Sequence, residues 1–74
     1  MNRQELLKRF GKNVKIERIR KDLTQEQLAD IMNVSQNYIA SIECGQANMS
    51  IAKVLELSTF MNVDIHKLLD FRSE

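Results

Sequence analysis

The chain has no proline, and glycine occurs only at Gly11 and Gly45 among its 74 residues. Strands joined by tight turns ordinarily need more, so an all-β fold is disfavoured. A single cysteine, Cys44, cannot build a disulfide framework. Cys44 and the lone His66 are too few ligands for a structural zinc site, and no cofactor is expected. No apolar run approaches the roughly 18 residues that a transmembrane helix requires. The N-terminal MNRQELLKRFGKN is mixed in charge and lacks the apolar centre of a signal peptide. The expectation is therefore a cytoplasmic protein with no membrane partner. Size excludes more. A chain this short makes one domain, here residues 1–74, and buries only about 60–65% of its unfolded surface. Most enzymes with a deep, water-excluded pocket are ruled out by so thin a core. A hydrophobic content of 43% argues equally against disorder.

The net charge of +1 hides an asymmetry. Residues 1–21 carry Arg3, Lys8, Arg9, Lys12, Lys15, Arg18, Arg20 and Lys21 against Glu5 and Glu17, a balance of +6. Residues 22–74 carry three basic and eight acidic residues, a balance of −5. Such a split points to a polyanionic partner, with a solvated basic helix face as the plainer alternative.

Three-and-four spacing of apolar residues predicts helices throughout. Helix 1 spans Arg3 to Lys21, with Leu6, Leu7, Phe10, Val14 and Ile19 as its apolar stripe. Gly11 within it costs about 1 kcal/mol relative to alanine. Helix 2, about 24–32, opens at the N-cap Thr24, and Gln27 three residues on completes a capping box. Leu28, Ile31 and Met32 form its apolar face, beside Ala29. Asn33 then interrupts the pattern, and asparagine tolerates the positive φ that a sharp inter-helix turn needs. Helix 3, about 35–44, follows the N-cap Ser35 and carries one apolar ridge, Ile39 and Ile42. It stops at Cys44-Gly45, where glycine supplies a left-handed residue. Ser50 caps a fourth helix with Ile51, Val54, Leu55, Ser58 and Met61 on its stripe. Asp64 caps a short fifth helix with Ile65, Leu68 and Leu69, and residues 70–74 read as a tail.

The stretch from Gln25 to Ile42 is the informative one. Two helices flank the three-residue turn Asn33-Val34-Ser35, and Ala29 is small where steeply crossed helices approach. These features together describe a helix-turn-helix. The run TQEQLADIMNVSQNYIASIECG, Thr24 to Gly45, resembles the helix-turn-helix of phage Cro and repressor proteins, the XRE-like family. The similarity extends over about residues 8–69. The chain's size is similar to that of the controller proteins of restriction-modification systems. Asp22 and Asn33 replace glycines common in that family, and both tolerate a left-handed turn. Cys44 and Met49 stand where the family often has a polar residue and a proline.

The resemblance implies an all-α, five-helix bundle of the lambda-repressor type, whose third helix enters the major groove of double-stranded DNA. A helix fits that groove with its N-terminal side chains at the base edges. Gln36 and Asn37 come first after the cap, and their carboxamides can pair bidentately with adenine. Ala40 can meet a thymine methyl, and Ser41 can bond a base or the backbone. Gln25 looks like the family residue that bonds a phosphate, at a helix N-terminus suited to anions. Asn48 and Ser50 are candidates for a second phosphate clamp, or simply for loop closure and capping. Tyr38 either reaches a phosphate or braces helix 2. Arg18 and Glu43 resemble a family ion pair, and such an arginine is also a candidate backbone contact.

Leu57, Phe60 and Phe71 lie off the predicted stripes, and clustered exposed apolar residues mark interfaces. The resemblance implies a two-fold homodimer there, the alternative being that Phe60 and Phe71 close the monomer core. His66 is expected to cap or face solvent, and Cys44 to act as a small filler. With the chain ending soon after the bundle, no ligand-sensing domain and no small-molecule ligand are expected. The functional expectation is a dimeric, sequence-specific transcriptional regulator on a near-palindromic operator. An antitoxin or interaction module holding a partner through helices 4 and 5 is the alternative. No Ser/His/Asp set, phosphate-cradling loop or metal-ligand cluster suggests an enzyme.

Overall fold

In the computed structural model, described over residues 1–72, five helices follow one another: α1 (Arg3–Arg20), α2 (Gln25–Met32), α3 (Gln36–Glu43), α4 (Ile51–Met61) and α5 (Ile65–Leu68). No strand occurs among the described residues. Local chemistry sets every start. Asn2, Thr24, Ser35, Ser50 and Asp64 each sit in extended backbone and accept a hydrogen bond from the first turn. At α2 the box is reciprocal: Thr24 Oγ1 accepts from the Gln27 amide at 3.0 Å, and the Thr24 amide donates to Gln27 Oε1 at 2.9 Å. Thr24→Ala should therefore cost about 1 kcal/mol, read as a lower Tm with unchanged helix content in the native state.

The stops are local too. Asn33 ends α2 at φ 57°, and Asn62 ends α4 at φ 55°. Asp22 adopts φ 57° before α2, and Gly45 takes φ 77° after α3. The Asp22, Asn33 and Gly45 conformations are those the sequence predicts. Gly45 also lacks room, since a Cβ there would fall 2.9 Å from the Lys8 Cα.

Phe10, Val14, Leu28, Ala29, Ile39, Ile42, Val54, Leu57, Met61 and Leu68 form one buried core shared by all five helices. Full burial of each large side chain contributes about 1.5–3 kcal/mol. Three predicted stripes need correction. On α1, Ile19 is 54% exposed, while Glu17 and Arg18 are buried. The inward position after Val14 is taken by an arginine that finds its counter-charge on α3. On α4 the buried face is Val54, Leu57, Ser58 and Met61, and Ile51 and Leu55 lie outside at 68% and 54% exposure. Buried Ser58 donates its hydroxyl to the Leu55 carbonyl at 2.7 Å, so it brings no unsatisfied group inside. Ile31, expected on the apolar face of α2, is also exposed.

The predicted tail begins as a docked segment. Arg9 donates to the Phe71 carbonyl at 2.9 Å, and Asn13 Nδ2 donates to the carbonyls of Leu68 and Asp70 at 3.0 and 2.9 Å. Asp70 pairs with Arg72, whose guanidinium hydrogen bonds pull the Asp70 carboxyl down to about 2. Ser73 and Glu74 lie outside the described residues.

Candidate nucleic-acid interface

The turn between α2 and α3 is closed by the Val34 amide, which donates to the Ala29 carbonyl at 3.0 Å. Val34 is half-buried against the core, and Ser35 caps α3 by accepting from the Tyr38 amide at 3.1 Å. Ile39 and Ile42 are then locked beneath the helix with essentially no exposure. With those two inward, helical periodicity turns Gln36 and Asn37 to solvent and leaves Ala40 and Ser41 half-buried alongside them. The four residues expected to read bases thus share one outward flank. The Ser41 hydroxyl donates to the Tyr38 carbonyl at 2.9 Å, which leaves its lone pairs for an outside donor. Tyr38 is half-buried beside Met32 and Val34, the packing that a bracing role requires.

Behind this flank lies a charged cluster. Arg18 Nε donates to Glu43 Oε2 at 2.6 Å, and Arg18 Nη2 to Glu43 Oε1 at 3.1 Å. The third guanidinium nitrogen, Nη1, donates to the Leu23 carbonyl at 2.7 Å. The two side chains are only 10% and 3% exposed. Three of the guanidinium's five N–H groups are given to internal acceptors, the ion-pair role expected of Arg18; so buried a side chain favours that role over the DNA-backbone contact also expected of it. A buried bidentate pair orients the helices it joins more than it stabilises them. Here it ties α1 to the last residue of α3.

Gln25, the first residue of α2, donates through Nε2 to Glu43 Oε1 at 3.2 Å. The carboxamide has a second N–H and its helix carries a positive dipole end, so the site remains suited to an anion. Asn48 is exposed in the loop before α4, and Ser50 accepts from the Lys53 amide at 3.2 Å as that helix's cap.

Residues 14–68 match the helix-turn-helix family model. The chain belongs to the helix-turn-helix family. Control protein C.SmaI of Serratia marcescens is 33% identical over 60 residues, covering 81% of this chain and 71% of that protein. The crystal structure of the restriction-modification controller protein C.AhdI from Aeromonas hydrophila superimposes with a TM-score of 0.77 at 32% identity, covering 84% of this chain and 94% of the other. A hypothetical transcription factor, NHTF from Neisseria, reaches a TM-score of 0.82 over 95% of this chain and 80% of its own. At 21% identity that likeness speaks for the fold alone. This helix-turn-helix protein is thus a DNA-binding regulator of the controller type, and its relatives are regulators rather than enzymes.

The three residues expected to form an interface are not brought together in this helix-turn-helix protein. Leu57 is fully buried and serves the monomer core, because it occupies the central inward position of α4. Phe71 is half-buried and lines a different groove from Phe60, together with Ile16 of α1. Phe60 alone remains an exposed apolar residue, at 46%, on the edge of a groove with Met32, Val34, Tyr38 and Met49. Cys44 is likewise exposed as the C-cap of α3, so it fills no space. His66 donates its amide to the Asp64 carboxylate at 2.9 Å and sets its ring Nδ1 2.8 Å from the same oxygen. Those bonds hold the Asp64 carboxyl below its ordinary range. No helix among the described residues is long and apolar enough to cross a membrane, and no group of three or more potential metal ligands gathers there.

Two features of the candidate interface escape a reading by sequence. Gly11 is buried where α1 crosses the end of α3, and a Cβ there would lie 2.6 Å from the Glu43 carbonyl oxygen and closer still to that of Ile42. The link from Gln25 to Glu43 spans 18 positions and has no periodic signature. The signal available in the chain was a glycine placed mid-helix without a turn to explain it.

Proposed function

We propose that this protein is a sequence-specific transcriptional regulator that binds a near-palindromic DNA operator as a homodimer, with α3 in the major groove. The carrying observation is the outward Gln36-Asn37 pair at the N-terminus of a helix anchored from behind by Ile39 and Ile42. Both carboxamides stand where a docked recognition helix meets base edges. Ala40 and Ser41 extend the reading surface by one turn. Gln25, Asn48 and Ser50 supply phosphate contacts from the starts of α2 and α4, and Tyr38 braces α2 from the recognition helix. The control protein and the restriction-modification controller protein among its relatives support a role as controller of such a system, and a DNA-binding regulator of that kind works in the cytoplasm.

Dimerisation is assigned to the exposed apolar surface of α4, with Phe60 as its largest member. A two-fold arrangement would set two copies of α3 about 34 Å apart, one turn of DNA. Phe60→Asp should convert a dimer to a monomer in sedimentation while the helical spectrum is kept. A monomeric natural protein at micromolar concentration would refute this assignment.

Titration with duplex DNA at several salt concentrations tests the central reading. Affinity should fall steeply as salt rises, with a residual preference for sites enriched from a random pool. Gln36→Ala should cost about 1–3 kcal/mol on the enriched site and little on mixed-sequence DNA. Equal losses on both would show that Gln36 reads no base.

A further inference from the structure

We infer that Glu43 is a positioning residue for the DNA backbone contact of Gln25, with Arg18 as the cation that makes this carboxylate compatible with a nearby phosphate. The inference rests on the phosphate role proposed for Gln25. Glu43 closes α3, yet its side chain is 3% exposed and collects three donors. Two come from Arg18 and the third is the Gln25 carboxamide. A carboxylate only accepts, so this contact decides which end of the Gln25 amide bears the NH2 group. One N–H is held, and the other is left for an outside acceptor. A free glutamine would lose its rotamer freedom on binding DNA; one fixed beforehand has already lost it.

An unpaired carboxylate so close would repel a phosphate. Arg18 cancels that charge with bidentate geometry, from a side chain only 10% exposed. The same guanidinium holds the Leu23 carbonyl at 2.7 Å, one residue before the cap of α2. The start of α2 and the end of α3 are thereby fixed to each other through one pair of side chains. This is how a pair with no contact to DNA can set the strength of one that has it.

Replacing Glu43 alone would strand a buried guanidinium, so the test replaces the pair. A buried ion pair exchanged for apolar residues of similar volume commonly leaves stability unchanged or raised. The variant carries Arg18→Met with Glu43→Leu, and the probe is a mixed-sequence duplex, since a phosphate contact is independent of sequence. In the natural protein, Gln25→Ala should weaken binding about tenfold, the scale of a hydrogen bond to a charged group. The paired replacement should lose about the same factor, with the salt dependence of binding unaltered. Adding Gln25→Ala to it should then change nothing more.

A full tenfold further loss in that background would show that Gln25 needs no positioning, and the inference would fall while the phosphate contact stood. A salt slope reduced by about one would mean that Arg18 itself meets a phosphate, which also overturns the arrangement. No effect of Gln25→Ala in the natural protein would remove the phosphate role and the positioning role together. If the paired variant does not fold, the side-chain amide of Gln25 in the free natural protein decides. It should be as ordered as rigid backbone, with an order parameter near 0.85, and a value below about 0.6 would overturn the inference.

Discussion

Gly11→Ala is expected to destabilise this protein, although in a helix the exchange ordinarily does the opposite. Alanine gains about 1 kcal/mol over glycine in an exposed helix interior. The added Cβ at position 11 would sit 2.6 Å from the Glu43 carbonyl oxygen and 2.8 Å from its carbon, and nearer still to the Ile42 oxygen. All three are backbone atoms, and no side-chain rotation relieves them. α1 and α3 would have to separate, which opens the core at Phe10, Val14 and Ile42 and stretches the Arg18–Glu43 pair. Overpacking costs about 1–3 kcal/mol and sometimes more. Contacts this short against backbone place the cost at or above the top of that range. The net loss should be about 2 kcal/mol or more, a fall in Tm on the order of 10 °C for a domain of this size. A thermal melt that rises on Gly11→Ala would show that the two helices do not cross so closely. DNA affinity should weaken as well, because the displaced element is α3, the helix proposed to enter the groove.

That example marks the limit of what the sequence discloses. Features decided within three or four residues are legible. Thr24 with Gln27, Ser35, Ser50 and Asp64 all cap the helices they were expected to cap. Asn33 and Gly45 take the left-handed conformations that their residue types allow most cheaply. Ile39 and Ile42 bury as a pair, and so the outward flank of α3 follows directly. Features decided by a distant partner are not legible in this way. Arg9 and Asn13 reach acceptors 62 and 55 positions away in the chain, and only the folded bundle reveals them. Ile19 lies five positions after Val14, off the helical period, and is exposed; the positions on the period, Glu17 and Arg18, are buried although charged, because Arg18 has a counter-charge on another helix. Family resemblance supplied that pair, while its insulation from solvent and its third bond to Leu23 come from the structure.

The same ambiguity yields the second large prediction. On α4, Ile51, Val54, Leu55 and Ser58 make a consistent apolar stripe, and so do Val54, Leu57, Ser58 and Met61. Periodicity alone does not choose between them, since each set follows the same helical spacing. The bundle chooses the second, because Met61 and Leu57 are needed beneath α5, where Leu68 is also fully buried. Leu57→Ala should therefore cost about 2–5 kcal/mol, the range for deleting a buried leucine. A domain of this length has a total stability of about 4–11 kcal/mol, so the variant should be partly or wholly unfolded near body temperature. Leu55→Ala, two residues away and half exposed, should stay within about 0.5 kcal/mol of the natural monomer. Its effect belongs to association instead: if the exposed side of α4 forms the two-fold contact, Leu55→Ala shifts the dimer equilibrium without moving the low-concentration melt. Chemical denaturation of the two variants at several protein concentrations separates these outcomes. Equal destabilisation by both, independent of concentration, would place Leu55 in the core and return the helix to the orientation that its sequence first suggests.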